Sequence, residues 1–203
     1  MSRNFICSAV LFLLCAVAWA QDVPAVRAKN TEIGLFAGAS HGVDQFRVMG
    51  GGNVSYAVTR VFMPYAEFSY FPGIRRKVTI RAGGTGNPIT FNFSQPLADF
   101  HGGVHIRIPL GESRVVPYLV VGVGGLRSFS RTENVTVTDV QGTFPLTITQ
   151  PATTDFAANF GGGLRAYVNE RFGVRLEAKT YRPTGTYTDF FYKVEGGIFF
   201  QIH

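Results

Sequence analysis

Residues 156–181 read FAANFGGGLRAYVNERFGVRLEAKTY, and this stretch decides the fold class. Every second residue from Phe156 to Val168 is apolar or glycine, and Arg165 lies in the opposite set. After Asn169-Glu170-Arg171 the same alternation resumes, with apolar residues at 172, 174, 176 and 178 and charged residues at 175, 177 and 179. A period of two indicates a β-strand. The stretch therefore predicts two antiparallel strands joined by a tight turn.

The same alternation occurs along most of the chain, with glycine spread throughout and few segments of helical period. The eight predicted strands are 32–40, 49–58, 61–71, 98–110, 116–126, 156–168, 172–181 and 192–202. Both faces of 116–126 are apolar or glycine, so the sequence does not orient this strand. The expected fold is all-β, an eight-stranded antiparallel up-and-down barrel.

The predicted connections differ in length. Short turns are expected at 59–60, 111–113 and 169–171, whereas the segments 40–48, 72–97, 127–155 and 183–189 are longer. Short turns at one end and longer loops at the other are typical of a transmembrane β-barrel. No segment after the N-terminus is apolar for long enough to span a bilayer as a helix, and a closed barrel is the other structure that satisfies its backbone in lipid.

The alternation alone does not say which face is inside. An eight-stranded barrel has an interior just filled by side chains, so we expect successive large aromatic residues to face lipid and the charged set to face the lumen. The predicted lumen network is Glu67, Arg107, Arg165, Arg175, Glu177, Lys179, Lys193 and Glu195. Buried charges of both signs must be paired. We interpret this network as a polar plug, with an ion path as the alternative.

The N-terminus has the layout of a secretory signal. Arg3 precedes the apolar residues 5–19, and Ala18-Trp19-Ala20 offers small residues where a signal peptidase cleaves. We expect residues 1–20 to be a cleaved signal peptide, 21–30 a lead-in and 31–203 the barrel domain. Cleavage would remove Cys7 and Cys15, so no disulfide is expected.

Three segments resemble a known family. Residues 161–183 (GGGLRAYVNERFGVRLEAKTYRP) resemble its penultimate hairpin, residues 116–125 (VPYLVVGVGG) its glycine-rich Pro-Tyr strand, and VEGGIFFQIH its terminal strand. The family is the outer-membrane β-barrel domain group that includes the small OmpX- and OmpA-like barrels. The resemblance implies a porin-like transmembrane barrel in the outer membrane of a Gram-negative bacterium, inserted by the barrel-assembly machinery and surrounded by outer-membrane lipid and lipopolysaccharide. We expect a monomer.

Sites for chemistry are sparse. His101 and His105 share a strand face at about 13 Å, which is too far for one metal ion. Ser69 and Ser94 lack a visible histidine base, and the glycine triplets 50–52 and 161–163 do not open helices. We expect no cofactor, no metal and no enzymatic activity.

The second long loop is basic. Arg75, Arg76, Lys77 and Arg81 have no acidic residue nearby, so they form a candidate contact for phosphates of lipopolysaccharide or another polyanion, or a solvated loop. Nucleic acid is not expected. The alternating runs 78–93, 135–138 and 146–149 predict either hairpins that extend the strands or stiffened loops.

The sequence thus favours an outer-membrane barrel with a structural or adhesion-like surface role through its loops. Three alternatives remain at this point: a soluble lipocalin-like barrel with its apolar face inside, a membrane-embedded lipid-modifying enzyme, and a narrow channel.

Overall fold

The computed structural model describes residues 27–41, 47–81, 88–111, 113–139, 142–185 and 190–202. For 47, 74–81, 88–93, 135–139 and 142–144 it describes the backbone alone. The strands are β1 Thr31–His41, β2 Arg47–Tyr56, β3 Phe62–Arg81, β4 Pro88–Arg107, β5 Val115–Ser128, β6 Arg131–Asp139, β7 Gly142–Gln150, β8 Thr153–Tyr167, β9 Phe172–Thr184 and β10 Phe191–Ile202. No helix with the length and apolarity of a membrane span occurs in these ranges. The predicted signal peptide lies outside the described residues.

Eight strands form a closed antiparallel barrel in the order β1–β10–β9–β8–β5–β4–β3–β2. The ring closes where β1 pairs with β10, with Ile33 opposite Phe200. β6 and β7 form a separate two-stranded sheet, so β5 pairs directly with β8. The predicted eight-stranded up-and-down barrel is confirmed.

β3 and β4 are much longer than the sequence predicted. The segment expected as a long connection, 72–97, is mostly strand: the ladder shifts register between Phe71 and Ile74 and then continues to Arg81 opposite Pro88. Each strand has 20 residues, whereas about 9–11 suffice to cross a membrane. β3 and β4 therefore continue past the barrel as a hairpin, and β6 with β7 forms a second hairpin. Of the two alternatives predicted for 78–93 and for 135–138 with 146–149, hairpins are therefore correct and stiffened loops are not.

The turns at the other end are short and locally stabilised. Asn169 Oδ1 accepts hydrogen bonds from the backbone N–H groups of Arg171 and Phe172, both at 2.8 Å. Thr59 Oγ1 accepts in the same way from Val61 and Phe62. These side chains satisfy turn amides, as Asx and Ser/Thr turns do. The first strand of the barrel, β1, begins at this end with Thr31. The last strand, β10, ends here with Ile202. The barrel thus has a short-turn end and a hairpin end.

The outer surface of the barrel is apolar. Leu35, Phe100, Leu119, Phe160 and Leu176 are each more than half exposed. Few soluble proteins expose a continuous apolar surface of this kind, whereas a lipid-facing barrel requires it. The soluble lipocalin-like alternative needed the reverse arrangement and is wrong.

The interior holds aromatic side chains as well as charged ones, which the sequence analysis did not expect. Several of them are accommodated by a glycine on a neighbouring strand. A Cβ atom at Gly163 would lie 2.6 Å from Tyr118 Oη, and one at Gly51 would lie 2.6 Å from Phe36 Cζ. Tyr118 also orients β5, the strand that the sequence left unassigned, with Val116 and Val120 facing inward beside it.

Candidate functional site

The barrel interior gathers the charged residues that the sequence assigned to the lumen. Strand alternation turns these side chains inward, and all eight are at most 4% exposed: Glu67, Arg107, Arg165, Arg175, Glu177, Lys179, Lys193 and Glu195. Six of them form one group, which we call the central cluster: Glu67, Arg175, Glu177, Lys179, Lys193 and Glu195. Arg165 and Arg107 lie outside it.

Three carboxylates and three cations are interleaved in the central cluster. Glu67 Oε1 lies 2.5 Å from Lys193 Nζ and 2.7 Å from Lys179 Nζ. Arg175 Nη2 lies 2.7 Å from Glu195 Oε1, and Lys193 Nζ lies 3.0 Å from Glu195 Oε2. Each charge therefore has a partner of opposite sign, which is the condition for burying charges without a prohibitive desolvation cost.

The carboxylates of Glu67, Glu177 and Glu195 offer oxygen atoms within 4.8 Å of one another, close enough for a metal ion. The positions around them are taken by the two ammonium groups and the guanidinium of the cluster. A divalent cation would have to displace these charges. The arrangement therefore fits a neutralised ion-pair network better than a metal centre.

A second group lies toward the short-turn end, around Glu32. Arg165 Nη1 pairs with Glu32 Oε2, and Tyr167 Oη and Gln201 Nε2 donate to Glu32 Oε1 at 3.3 and 3.1 Å. Arg165 Nη2 lies 2.8 Å from His105 Nδ1, and His105 Nε2 lies 3.6 Å from Glu177. The Glu32 group and the central cluster thus form one continuous network.

The network also extends toward the hairpin end. Lys193 Nζ lies 3.7 Å from Asp99 Oδ2 and 2.8 Å from Ser69 Oγ. Asp99 contacts His101 Nδ1, and the other ring nitrogen of His101 lies 3.2 Å from the carbonyl of Ala157. His101 and His105 therefore contact different partners, and Ser69 is fully buried.

Apolar clusters lie on both sides of the charged network. At the hairpin end the core cluster is Phe36, Met49, Phe71, Leu97, Leu126, Ala157, Tyr181 and Phe191, and at the short-turn end it is Val116, Tyr167 and Phe199. Arg107 lies apart at the short-turn end, where its Nη2 donates to the carbonyls of Thr59 at 2.6 Å and Arg27 at 3.1 Å. The charged network is therefore buried between two apolar clusters, and the choice between a polar plug and an ion path stays a prediction.

The sequence reasoning missed several members of this network. Glu32 and Asp99 sit at inward positions of predicted strands, so alternation could have found them. Tyr118, whose hydroxyl donates to Glu177 Oε2 at 2.5 Å, lies on the strand that alternation could not orient. The ion pair between Glu32 on β1 and Arg165 on β8 depends on the closed ring, so no local sequence pattern predicts it.

The basic residues of the second predicted loop lie on β3 beyond the register shift. Arg75, Arg76, Lys77 and Arg81 are opposite Ser94, Phe93, Asn92 and Pro88. Their side chains lie outside the described part of the structure. Residues 72–97 contain these four cations and no acidic residue.

The second hairpin differs in character. Thr132 and Thr149 hydroxyls lie 3.0 Å apart, Thr147 Oγ1 donates to Asn134 Oδ1 at 2.8 Å, and Arg131 pairs with Glu133 at 2.9 Å. These contacts are cross-strand or local and satisfy the polar side chains of the hairpin within itself. Arg131 is the cation among its described side chains, and it is paired.

Comparisons with known proteins agree with this architecture. A family model described as outer membrane protein β-barrel domain matches residues 6–198. No curated protein sequence gives a significant match. The structure is similar to that of Neisserial surface protein A, with a TM-score of 0.59, 9% identity and coverage of 85% of this chain and 97% of that chain.

It is also similar to Ail, the attachment invasion locus protein of Yersinia pestis, in a crystal structure with the heparin analogue sucrose octasulfate. The TM-score is 0.53 at 11% identity, over 87% of this chain and 100% of that chain. At these identities the two likenesses concern the fold.

Proposed function

Because this chain belongs to the outer membrane protein β-barrel domain family, we propose that it is a structural and surface-interaction protein of a bacterial outer membrane. The barrel anchors it, the N-terminal signal is cleaved after Ala20, and the barrel-assembly machinery inserts it as a monomer. Its hairpin end faces the outside of the cell, because transmembrane barrels have short turns on the periplasmic side and longer loops on the extracellular side. In this proposal it catalyses no reaction.

One observation carries the proposal: the β3–β4 hairpin continues far beyond the barrel and holds one-signed charge. Residues 72–97 contain its four cationic residues and no acidic residue. The ladder holds the backbone of this segment in place up to Arg81. A preorganised strand loses less entropy on binding than a flexible loop, so this segment suits a surface polyanion.

The filled interior supports the same proposal. The buried charges pair with one another, and apolar clusters lie on both sides of them in the described structure. A transport role would need groups that release and rebind a solute. The charges of the lumen are better explained as packing that keeps an anchor rigid.

The ligand class of the proposal is a sulfated or phosphorylated polyanion. Ail, which shares the fold, was crystallised with a heparin analogue, and four cations on one hairpin suit such a ligand by charge. Electrostatic attraction of this kind is salt-dependent.

The test is binding of sucrose octasulfate to the refolded barrel in detergent, measured by calorimetry at low and moderate salt. We expect salt-sensitive binding that weakens about tenfold or more in Arg75→Gln/Arg76→Gln/Lys77→Gln/Arg81→Gln. The matched control is Arg60→Gln/Arg171→Gln, which removes exposed cations at the opposite end. Equal binding by the wild type and the hairpin variant would refute the polyanion role, as would an equal loss in the control.

A further inference from the structure

Charges on the outer surface of the barrel are rare and of one sign. On the described outward-facing side chains of the eight barrel strands, the charged residues are Arg127 on β5 and Arg182 on β9. Both are exposed, and both lie near the hairpin end. The interior, by contrast, holds acids and bases in similar number. An unbalanced pair of cations on a lipid-facing wall indicates an anionic partner outside the protein.

The two arginines flank a single strand, β8. Arg127 is opposite Thr154, and Arg182 is opposite Ala158. Four residues along β8 correspond to about 13 Å, and two strand spacings to about 10 Å. The two backbone positions are therefore well separated, and the side chains suit a ligand with two anionic groups rather than one.

Local contacts keep both guanidinium groups on the outer wall. Arg127 Nη1 lies 3.5 Å from Thr154 Oγ1, which directs it toward β8. Arg182 Cζ lies 5.0 Å from the centre of the Phe190 ring. Neither contact neutralises charge, and no carboxylate among the described residues pairs with either arginine. Guanidinium groups bind phosphate through paired hydrogen bonds.

The surface below the arginines points to a lipid rather than a soluble anion. Toward the short-turn end the same wall presents Val121, Phe160 and Leu176, each more than half exposed. A soluble polyanion would make no use of this apolar surface. A lipid can place its phosphates at the arginines and its acyl chains along the wall beneath.

We propose that Arg127 and Arg182 form a binding site for the two phosphates of a diphosphorylated glycolipid in the leaflet at the hairpin end. The site rests on the proposed function for its location in the membrane but not on the β3–β4 cations. It lies on the barrel wall, across β5, β8 and β9, and its ligand is a component of the membrane itself.

The experiment measures lipid retention by the refolded full barrel, using native mass spectrometry from detergent micelles. The probes are diphosphorylated lipid A, its dephosphorylated form and phosphatidylglycerol. We expect the wild type to retain the diphosphorylated probe at least tenfold better than the dephosphorylated one. Arg127→Gln/Arg182→Gln should lose that preference by about tenfold. Arg60→Gln/Arg171→Gln, with two exposed cations removed from the opposite end, should keep it.

Three results would overturn the site. These are equal retention of the two lipid A forms by the wild type, an unchanged preference in Arg127→Gln/Arg182→Gln, or an equal loss in the control variant. Preference for phosphatidylglycerol over lipid A would replace the two-phosphate ligand with a general anionic lipid and would also overturn it. Heat-modifiable gel mobility confirms that each variant is folded.

Failure of this site is distinguishable from failure of the proposed function. The four-cation hairpin variant leaves Arg127 and Arg182 in place, so it should lose sucrose octasulfate and keep lipid A. The wall variant should show the opposite pattern. If both variants lose both ligands, neither site is specific.

Discussion

The barrel interior and the β3–β4 hairpin are both rich in cationic residues, but their charges have different surroundings. Inside the barrel, Lys179 and Lys193 share the carboxylate of Glu67 and are fully buried. On the hairpin, four cations occur within seven residues, 75–81, with no acidic neighbour in the sequence. Charges that are buried and paired contribute to the structure of the anchor. For the charges of one sign on the hairpin, we propose contact with a partner.

This comparison predicts its largest effect at Glu67. Glu67→Gln would leave Lys179 and Lys193 with a buried excess of positive charge. We expect a loss of about 3–5 kcal/mol in the free energy of unfolding, since removal of one partner leaves an uncompensated buried charge. Urea unfolding of the wild type and the variant in lipid vesicles measures this loss in the free energy of unfolding.

Glu133→Gln is the matched control on the β6–β7 hairpin. Glu133 pairs with Arg131 at a solvent-accessible position, so its loss should change the free energy of unfolding by less than about 1 kcal/mol. Adding Lys193→Met to Glu67→Gln should recover part of the stability. If the single Glu67 variant were as stable as the control, the central cluster would not contribute as described.

A second prediction concerns the glycines that accommodate interior aromatics. Gly163→Ala would place a methyl group against the backbone carbonyl oxygen of Leu176 and 2.6 Å from Tyr118 Oη, whose hydroxyl also donates to Glu177. We expect a loss of about 1–3 kcal/mol from overpacking. The control is Gly196→Ala, because a Cβ there meets no atom closer than 4.0 Å. Equal unfolding midpoints for the two variants would show that the contacts with Tyr118 and with the Leu176 carbonyl relax without cost.

The smallest effect is expected from deletion of the second hairpin. β6 and β7 form their own sheet, and β5 and β8 pair directly without them. Replacing residues 131–150 by a short glycine-containing turn keeps the Phe129 and Pro151 carbonyls, which accept hydrogen bonds from the buried Gln95 side chain. This change should leave the barrel closed, with an unfolding free energy within about 1 kcal/mol of the parent. Heat-modifiable gel mobility and urea unfolding measure this. A barrel that fails to close would show that the hairpin contributes to the ring.

The sequence predicted the barrel well because its evidence is local. Alternation over 172–181 places Arg175, Glu177 and Lys179 on one face, and Asn169 accounts for the turn before it. The same reasoning failed for β5, where both faces are apolar or glycine, and for 72–97, where a register shift beside Gly73 interrupts the pattern before the ladder resumes.

The site was harder to predict because its partners are distant in the chain. Arg165 pairs with Glu32, 133 residues away, and only the closed ring brings them together. The enclosed aromatic residues were also missed, since volume arguments placed large rings outside. Glycines on neighbouring strands, such as Gly51 and Gly163, supply the missing space.

The distribution of buried charge along the chain has a consequence for how the ring is completed. Among the side chains that the structure describes, β1 to β4 bring the buried carboxylates Glu32, Glu67 and Asp99 against one buried guanidinium, Arg107. β8 to β10 bring four buried cations against Glu177, Glu195 and the rim residue Asp155: Arg165, Arg175, Lys179 and Lys193. Each half-sheet alone would hold unneutralised charge beside hydrocarbon. Joining the first strand to the last therefore also neutralises these charges, which disfavours a half-closed ring electrostatically.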